Sequence, residues 1–384
     1  MQQRRHPPGF LLAACAAVAG VSLTLGTVGP LLPRFSAAMD SGIYTGLVIA
    51  GHPIGSLLAA VPTLLASRRF GLPRVIAAGA VIAFAASVLF VWPGEGWWIV
   101  VARVGYGASG TVVWQSVFAW AITNTGPGRR ARTIGTLLAA STAGMVVAPQ
   151  LGALADRFGL WLCAVPPLLL LAAASRFAFL PAYEMLERTD ARRLRQALLS
   201  RDALTGVGLT SGGAVVALGV SVSLPLALHG EGVGAFGIGA VLTAAYVVLI
   251  GLNPLAGRLV DGGRTRAVLA GGFALLSLAL GGRALAPTAA VAVPFALALA
   301  CLTGLPGFAG GVLASRAVAR AEVDQTVSQT TSTLAWAPAA IAGSVGAGVL
   351  GSAETTLLVL ALLTACAAAA AALELVHRRH PLPA

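Results

Sequence analysis

PAYEMLERTDARRLRQALLSRD, from Pro181 to Asp202, is the longest polar stretch of the chain and lies near its middle. Glu184, Glu187 and Asp190 mix there with Arg188, Arg192, Arg193, Arg195 and Arg201. On both sides the sequence is a succession of apolar runs of about 20 residues, the length a helix needs to cross the hydrocarbon core of a bilayer. Backbone groups in lipid must find their hydrogen bonds within the segment, so each run reads as a helix. The first six are expected at about 10–32, 43–66, 73–92, 96–122, 131–155 and 158–180. The second six follow at about 204–228, 235–256, 266–286, 288–314, 324–350 and 353–376. The central stretch then reads as a cytoplasmic linker with an amphipathic helix on the membrane surface.

Composition supports this reading. Hydrophobic residues make up 57% of the 384 and charged residues only 10%, against about 25% charged in soluble domains. A soluble chain of this length cannot cover its surface with so few charges, so the chain is expected to use the lipid bilayer as part of its solvent. The net charge is +12, and all 25 cations are arginines. Basic proteins often bind nucleic acid, but these arginines cluster between apolar runs, with no aromatic-studded polar face. No nucleic-acid partner is expected. Cytoplasmic loops carry excess positive charge. With both termini cytoplasmic, twenty arginines fall inside and only Arg34, Arg157 and Arg283 outside, while Arg103 and Arg176 lie within runs. That bias fits an even number of spans in a cell membrane, expected to be a bacterial inner membrane. Arg4 and Arg5 before the first run imitate a signal peptide, but the run is long, and an uncleaved first helix is the better reading.

A shift of 192 residues pairs Pro62 with Pro254, Arg74 with Arg266 and Gly79 with Gly271. A duplicated six-helix unit leaves such a trace. The expected fold is all-α and integral to the membrane, twelve transmembrane helices in two pseudo-symmetric six-helix bundles. The N-terminal bundle takes residues 1–180, the linker 181–203 and the C-terminal bundle 204–384.

Three motifs resemble those of the major facilitator superfamily of transporters. Gly257-Arg258-Leu259-Val260-Asp261-Gly262-Gly263-Arg264-Thr265-Arg266 is similar to the family's G-x-L-x-D-x-x-G-R-x-R loop. The resemblance implies a conformational latch at Gly257, Asp261, Arg264 and Arg266. The first-half copy, Pro62 to Arg74, carries Arg68 or Arg69 in place of the carboxylate. Arg103-Val104-Gly105-Tyr106-Gly107 resembles the family's R-x-x-x-G-x-G motif, whose arginine is implied to tune a protonatable neighbour. Gly144, Pro149 and Gly152 sit in a segment similar to the G-x-x-x-G-P-x-x-G-G motif of the antiporter branch, with alanine at Ala148 and Ala153 in place of two glycines. This branch exports drugs or metabolites in exchange for protons.

The polar residues inside the runs supply the remaining candidates. Acidic groups are almost absent there, so His52, the side chain type that titrates nearest neutral pH, is the chief proton-coupling candidate. Arg103 is its modulator, and Asp156 near the outer end of the fifth run is the second choice. The eleventh run opens Gln325-Thr326-Val327-Ser328-Gln329-Thr330-Thr331-Ser332-Thr333. Gln325, Gln329, Ser332 and Trp336 share one helical face by their spacing, the expected wall of a wet cavity. Trp114, Gln115, Tyr246 and Asn253 are further cavity candidates. Cys15, Cys163, Cys301 and Cys366 lie far apart in apolar runs without metal spacing. No nucleophile elbow, zinc-protease pair or phosphate loop occurs, so neither an enzyme, a metal nor a cofactor is expected.

The leading expectation is proton-coupled export of a small organic molecule by a monomer. Uptake of a small polar solute is the alternative, and a non-transporting sensor of the same fold is another. An intramembrane enzyme would need a polar cluster at one interface, and none is visible.

Overall fold

The structure is a computed structural model that describes residues 9–92, 96–125, 130–178, 200–261, 265–285, 289–302 and 325–379. Among them only helices form regular structure. Before residue 179 these are α1 (Gly9–Gly26), α2 (Val28–Met39), α3 (Gly42–Phe70), α4 (Leu72–Val91), α5 (Trp97–Thr123), α6 (Arg130–Phe158) and α7 (Val165–Ala178). After residue 200 follow α8 (Arg201–Gly230), α9 (Ala235–Asp261), α10 (Thr265–Leu285), α11 (Ala289–Leu302), α12 (Gln325–Leu350) and α13 (Ala353–Arg379). With α1 and α2 taken as one span, the described helices make twelve. The expected linker, 181–203, lies almost wholly outside the described residues.

Local chemistry sets the boundaries. The first span runs on to Met39 instead of ending near Leu32 and breaks at Thr27. Pro30 has no N–H to offer the carbonyl four residues back, that of Gly26, which accounts for the interruption. Leu31, Leu32 and Phe35 are wholly buried beyond it, so packing continues the span past Pro33. Asp40 closes α2 in the left-handed region at φ 44°, and the Ser41 side chain accepts from the Tyr44 N–H to open α3. Gly71 at φ 82° and Gly159 at φ 116° make the next sharp turns, where a side chain would be strained. After Gly159 the chain makes a 3-10 turn, Leu160–Ala164, before α7. Pro166 and Pro167, in the first turn of α7, need no donor there.

Eight spans among the described residues are long and apolar enough to cross a membrane. The protein is a multi-pass membrane protein. α5 is not one of the eight, and its burial explains why: Arg103, Tyr106, Ser109, Thr111, Gln115 and Ser116 are all buried by neighbouring helices. A helix sheathed by protein needs no apolar skin. Conversely Leu12, Leu58, Leu65, Leu278 and Leu362 are exposed, as lipid-facing side chains are.

Two core clusters draw mainly on α1–α7. One centres on Val113, Val117, Trp120, Leu170 and Phe177, the other on Leu31, Phe35, Tyr44, Phe90 and Tyr106. A third joins Val220, Leu224, Leu276, Leu280 and Leu357 of α8, α10 and α13.

Candidate functional site

α3 and α5 cross with their backbones in contact, and this crossing carries the candidate proton group. Gly51 of α3 lies on the Arg103 Cβ and Gly55 on the Val104 carbonyl, while Gly107 of α5 lies on the His52 carbonyl. Small residues permit this approach in a membrane bundle. The Ser56 hydroxyl donates to the Gly107 carbonyl at 3.2 Å.

His52 is about nine-tenths buried, and its Nδ1 has no hydrogen-bond partner. Its ring meets Trp336 of α12 edge to face, centroids 6.5 Å apart at 80°. Arg103 is 2% exposed, so it does not snorkel to the interface but stays inside the bundle. Its Nε donates to the Val48 carbonyl at 3.2 Å, and Nη1 has no partner. Asp156 sits half-buried on the last turn of α6.

The polar start of α12 does meet the other helices, but through a neighbouring face. Gln115 of α5 donates from Nε2 to the Thr333 hydroxyl at 3.3 Å, and the Thr330 hydroxyl donates to its Oε1 at 3.4 Å. Gln329 is half-buried and Ser332 exposed, while Trp336 is half-buried beside His52. Thr330 and Thr333 were legible as a three-residue spacing within the same polar run; which face turns inward was not. Trp114 stacks on Phe118 at 4.6 Å between centroids and joins the α1–α7 core. Tyr246 is half-buried on α9. The side chains of Gln325, Asn253, Gly257, Asp261, Arg264 and Arg266 lie outside the described residues.

The α6 motif forms a seam against the first span. Gly144 lies on the Ala19 carbonyl of α1, Gly152 on that of Thr27, and Ala148 against Gly26. Ser22 and Ser141 are joined hydroxyl to hydroxyl at 2.7 Å. Pro149 is buried on another side, with Gly239 of α9 packed over its carbonyl. The Thr243 hydroxyl of α9 donates to the Val146 carbonyl at 2.9 Å.

A second seam joins α3 to α12 at the end that bears the α2–α3 turn. Gly42 lies on the Gly348 carbonyl, and Gly46 on the Ser344 carbonyl and the Gly348 Cα. The Ser344 hydroxyl folds back onto the Ala340 carbonyl at 2.8 Å, out of the way. Gly135 of α6 and Gly251 of α9, nearer the opposite end, have no described residue packed on them.

Sequence reasoning missed one charged contact. Arg283 is not a loop arginine in water: it is 3% exposed on the last turn of α10, with Nη2 2.6 Å from Oε1 of Glu231. Removing one partner of a buried pair strands the other charge. Glu231→Gln is expected to lower unfolding stability by about 3 kcal/mol. Thermal unfolding of the purified protein in detergent reads this, and an unchanged midpoint would refute a stabilising role for the pair.

The family model described as Major Facilitator Superfamily matches residues 12–347. No curated protein matches the chain in sequence. Among solved structures, a partially occluded, inward open conformation of the xylose transporter XylE from E. coli is similar. Its TM-score is 0.72 at 13% identity, covering 97% of this chain and 97% of that one. An auto-inhibited POT family peptide transporter reaches a TM-score of 0.73 at 12% identity, covering 98% of each chain. At such identity the likeness concerns the fold alone.

Proposed function

The chain belongs to the major facilitator superfamily, a family of non-enzymatic secondary transporters, and from that premise we propose that it exports a small organic molecule, a drug or a metabolite, in exchange for protons. On this reading residues 1–180 and 204–384 are two bundles that rock about a central cavity, with both termini in the bacterial cytoplasm. The loop from Gly257 to Arg266 then latches the bundles on the cytoplasmic side, through Asp261 and its neighbouring arginines.

The observation that carries the reading is the place of His52. Among the described residues it is a titratable ring in contact across the proposed bundle boundary, set against Trp336. A coupling group must change its proton affinity between two conformations. A ring whose far side is an aromatic of the opposite bundle changes surroundings whenever the bundles part. Arg103 beside it supplies a fixed positive charge, and Gln115, Thr330, Thr333, Trp336 and Tyr246 offer a neutral, hydrogen-bonding and aromatic wall for cargo. Asp156 is the alternative proton site. The seam of Gly144, Ala148 and Gly152 supports export over uptake, because it occupies the antiporter-like motif.

The glycine seams of α3 with α12 and of α6 with α9 lie toward the end bearing the α2–α3 turn, while Gln115 of α5 meets Thr330 and Thr333 of α12 nearer the other end.

His52→Ala is expected to abolish substrate accumulation driven by an imposed pH step in proteoliposomes, while substrate binding without a gradient survives. If the variant still concentrates substrate after the step, the proton binds elsewhere.

A further inference from the structure

Inside the α1–α7 group, away from the α12 contact, a small cavity opens beside His52. Its lining comes from α1, α3, α4, α5 and α7 and includes Thr24, His52, Tyr106, Ser109 and Gly110. Two fully buried polar atoms of this lining lack a partner: His52 Nδ1 and the Tyr106 hydroxyl. The other two hydroxyls have spent their protons, Thr24 on the Gly20 carbonyl at 2.8 Å and Ser109 on the Gly79 carbonyl at 2.8 Å. Their lone pairs remain free to accept. The wall therefore presents one donor, the Tyr106 O–H, and three acceptors. A water molecule needs about two to four such partners and little more than its own volume. Val21, Leu25, Ala83 and Leu170 make most of the wall apolar, and a buried polar atom left unpaired beside such a wall is costly, which favours a water here.

We infer that this cavity is a hydration site in which a single water bridges the Tyr106 hydroxyl and Nδ1 of His52. Tyr106 donates to the water, and the water donates to Nδ1 and to Thr24 or Ser109. With Nδ1 as acceptor, the ring hydrogen of the neutral imidazole sits on Nε2. The imidazole then has two working sides, a water inside its own bundle and Trp336 of the other. A proton that reaches this water as hydronium passes to Nδ1: the N–H bond forms as the O–H bond breaks, leaving neutral water bonded to an imidazolium. Release reverses the step. Among the described residues, the charged or titratable groups facing His52 are Arg103 and Tyr106, both on α5; α1, α4, α7 and α12 present Thr24, Ala83, Leu170 and Trp336. The consequence for transport rests on the reading of His52 as the proton-binding group; the hydration site itself does not.

Gly110 supplies the test. A Cβ there would stand 3.4 Å from His52 Cε1 and 3.4 Å from Val21 Cγ1, ordinary contacts, and would occupy the cavity. Alanine also favours the helix over glycine. The full chain, labelled with 15N-histidine and reconstituted in lipid bilayers, is read by solid-state NMR for magnetisation transfer from water to the His52 ring, assigned by its loss in His52→Asn. The wild type is expected to show transfer from water to Nδ1. Gly110→Ala is expected to lose it, with an unfolding midpoint at or above that of the wild type. Absence of transfer in the wild type, or its full retention in Gly110→Ala, overturns the site. If Gly110→Ala fails to fold, Tyr106→Phe decides: reduced transfer supports the bridge, and unchanged transfer overturns it. These outcomes are independent of the pH-step assay of His52→Ala, so a failure of the coupling reading and a failure of the hydration site are told apart.

Discussion

Gly46→Leu is expected to reduce transport to a tenth of wild type or less while the protein stays folded. Position 46 rests on the Ser344 carbonyl and the Gly348 Cα across the α3–α12 seam. A leucine there meets backbone, which cannot swing aside as a side chain would. Overpacking a well-packed contact costs about 1–3 kcal/mol. Every 1.4 kcal/mol shifts a two-state balance about tenfold. That cost applies only while the seam is closed, so the variant is expected to populate the state open at the α2–α3 end. Ser344→Cys places a thiol in the seam, at a position that is wholly buried. Its labelling by a membrane-impermeant maleimide, with the other cysteines replaced, is expected to rise in the Gly46→Leu background. Gly346→Leu is the control: it lies on the same helix as Gly348, and nothing packs within 4 Å of its Cβ position. It is expected to transport normally. Wild-type transport by Gly46→Leu would dismiss the seam as a moving contact.

Gly55→Leu is expected to do something different, namely to prevent stable folding. Its Cβ would fall on the Val104 carbonyl and the Ala108 nitrogen, again backbone. This crossing lies inside one group of helices, not across the proposed bundle boundary, so bundle movement would not relieve the clash. The expected loss is at least about 3 kcal/mol, the upper range for overpacking. The readout is the monodisperse fraction on size exclusion, together with the unfolding midpoint. Gly212→Leu on α8, where nothing lies within 4 Å of the added Cβ, is the matched control. If Gly55→Leu is purified in normal yield with an unchanged midpoint, the close α3–α5 approach is wrong. Ser56→Ala, which removes only the hydrogen bond to Gly107, is expected to cost about 1 kcal/mol and serves as the mild end of the same series.

That the chain is helical and membrane-embedded, where most helices begin and end, and which family it resembles were all legible in the order of its residues. The reason is that these depend on local quantities. An apolar run in lipid has no alternative to satisfying its own backbone, and Gly71, Gly159, Pro30 and Ser41 act on the residues next to them. The first span, expected to end near Leu32, runs on to Met39 because the burial of Leu31, Leu32 and Phe35 carries the helix past Pro33. How each helix is rotated and what it touches came from packing. The start of α12 is polar on every side, so its periodicity names no single face, and Thr330 and Thr333 could not be preferred over Gln329 and Ser332 as partners of Gln115. The same holds for Arg103, which turns inward to the Val48 carbonyl, and for Arg283, which finds Glu231 from a loop about fifty residues away in sequence. His52 was visible as a histidine in an apolar run; that its ring meets Trp336 while the residue also lines a small cavity is a consequence of five helices packing around it, which no local pattern encodes.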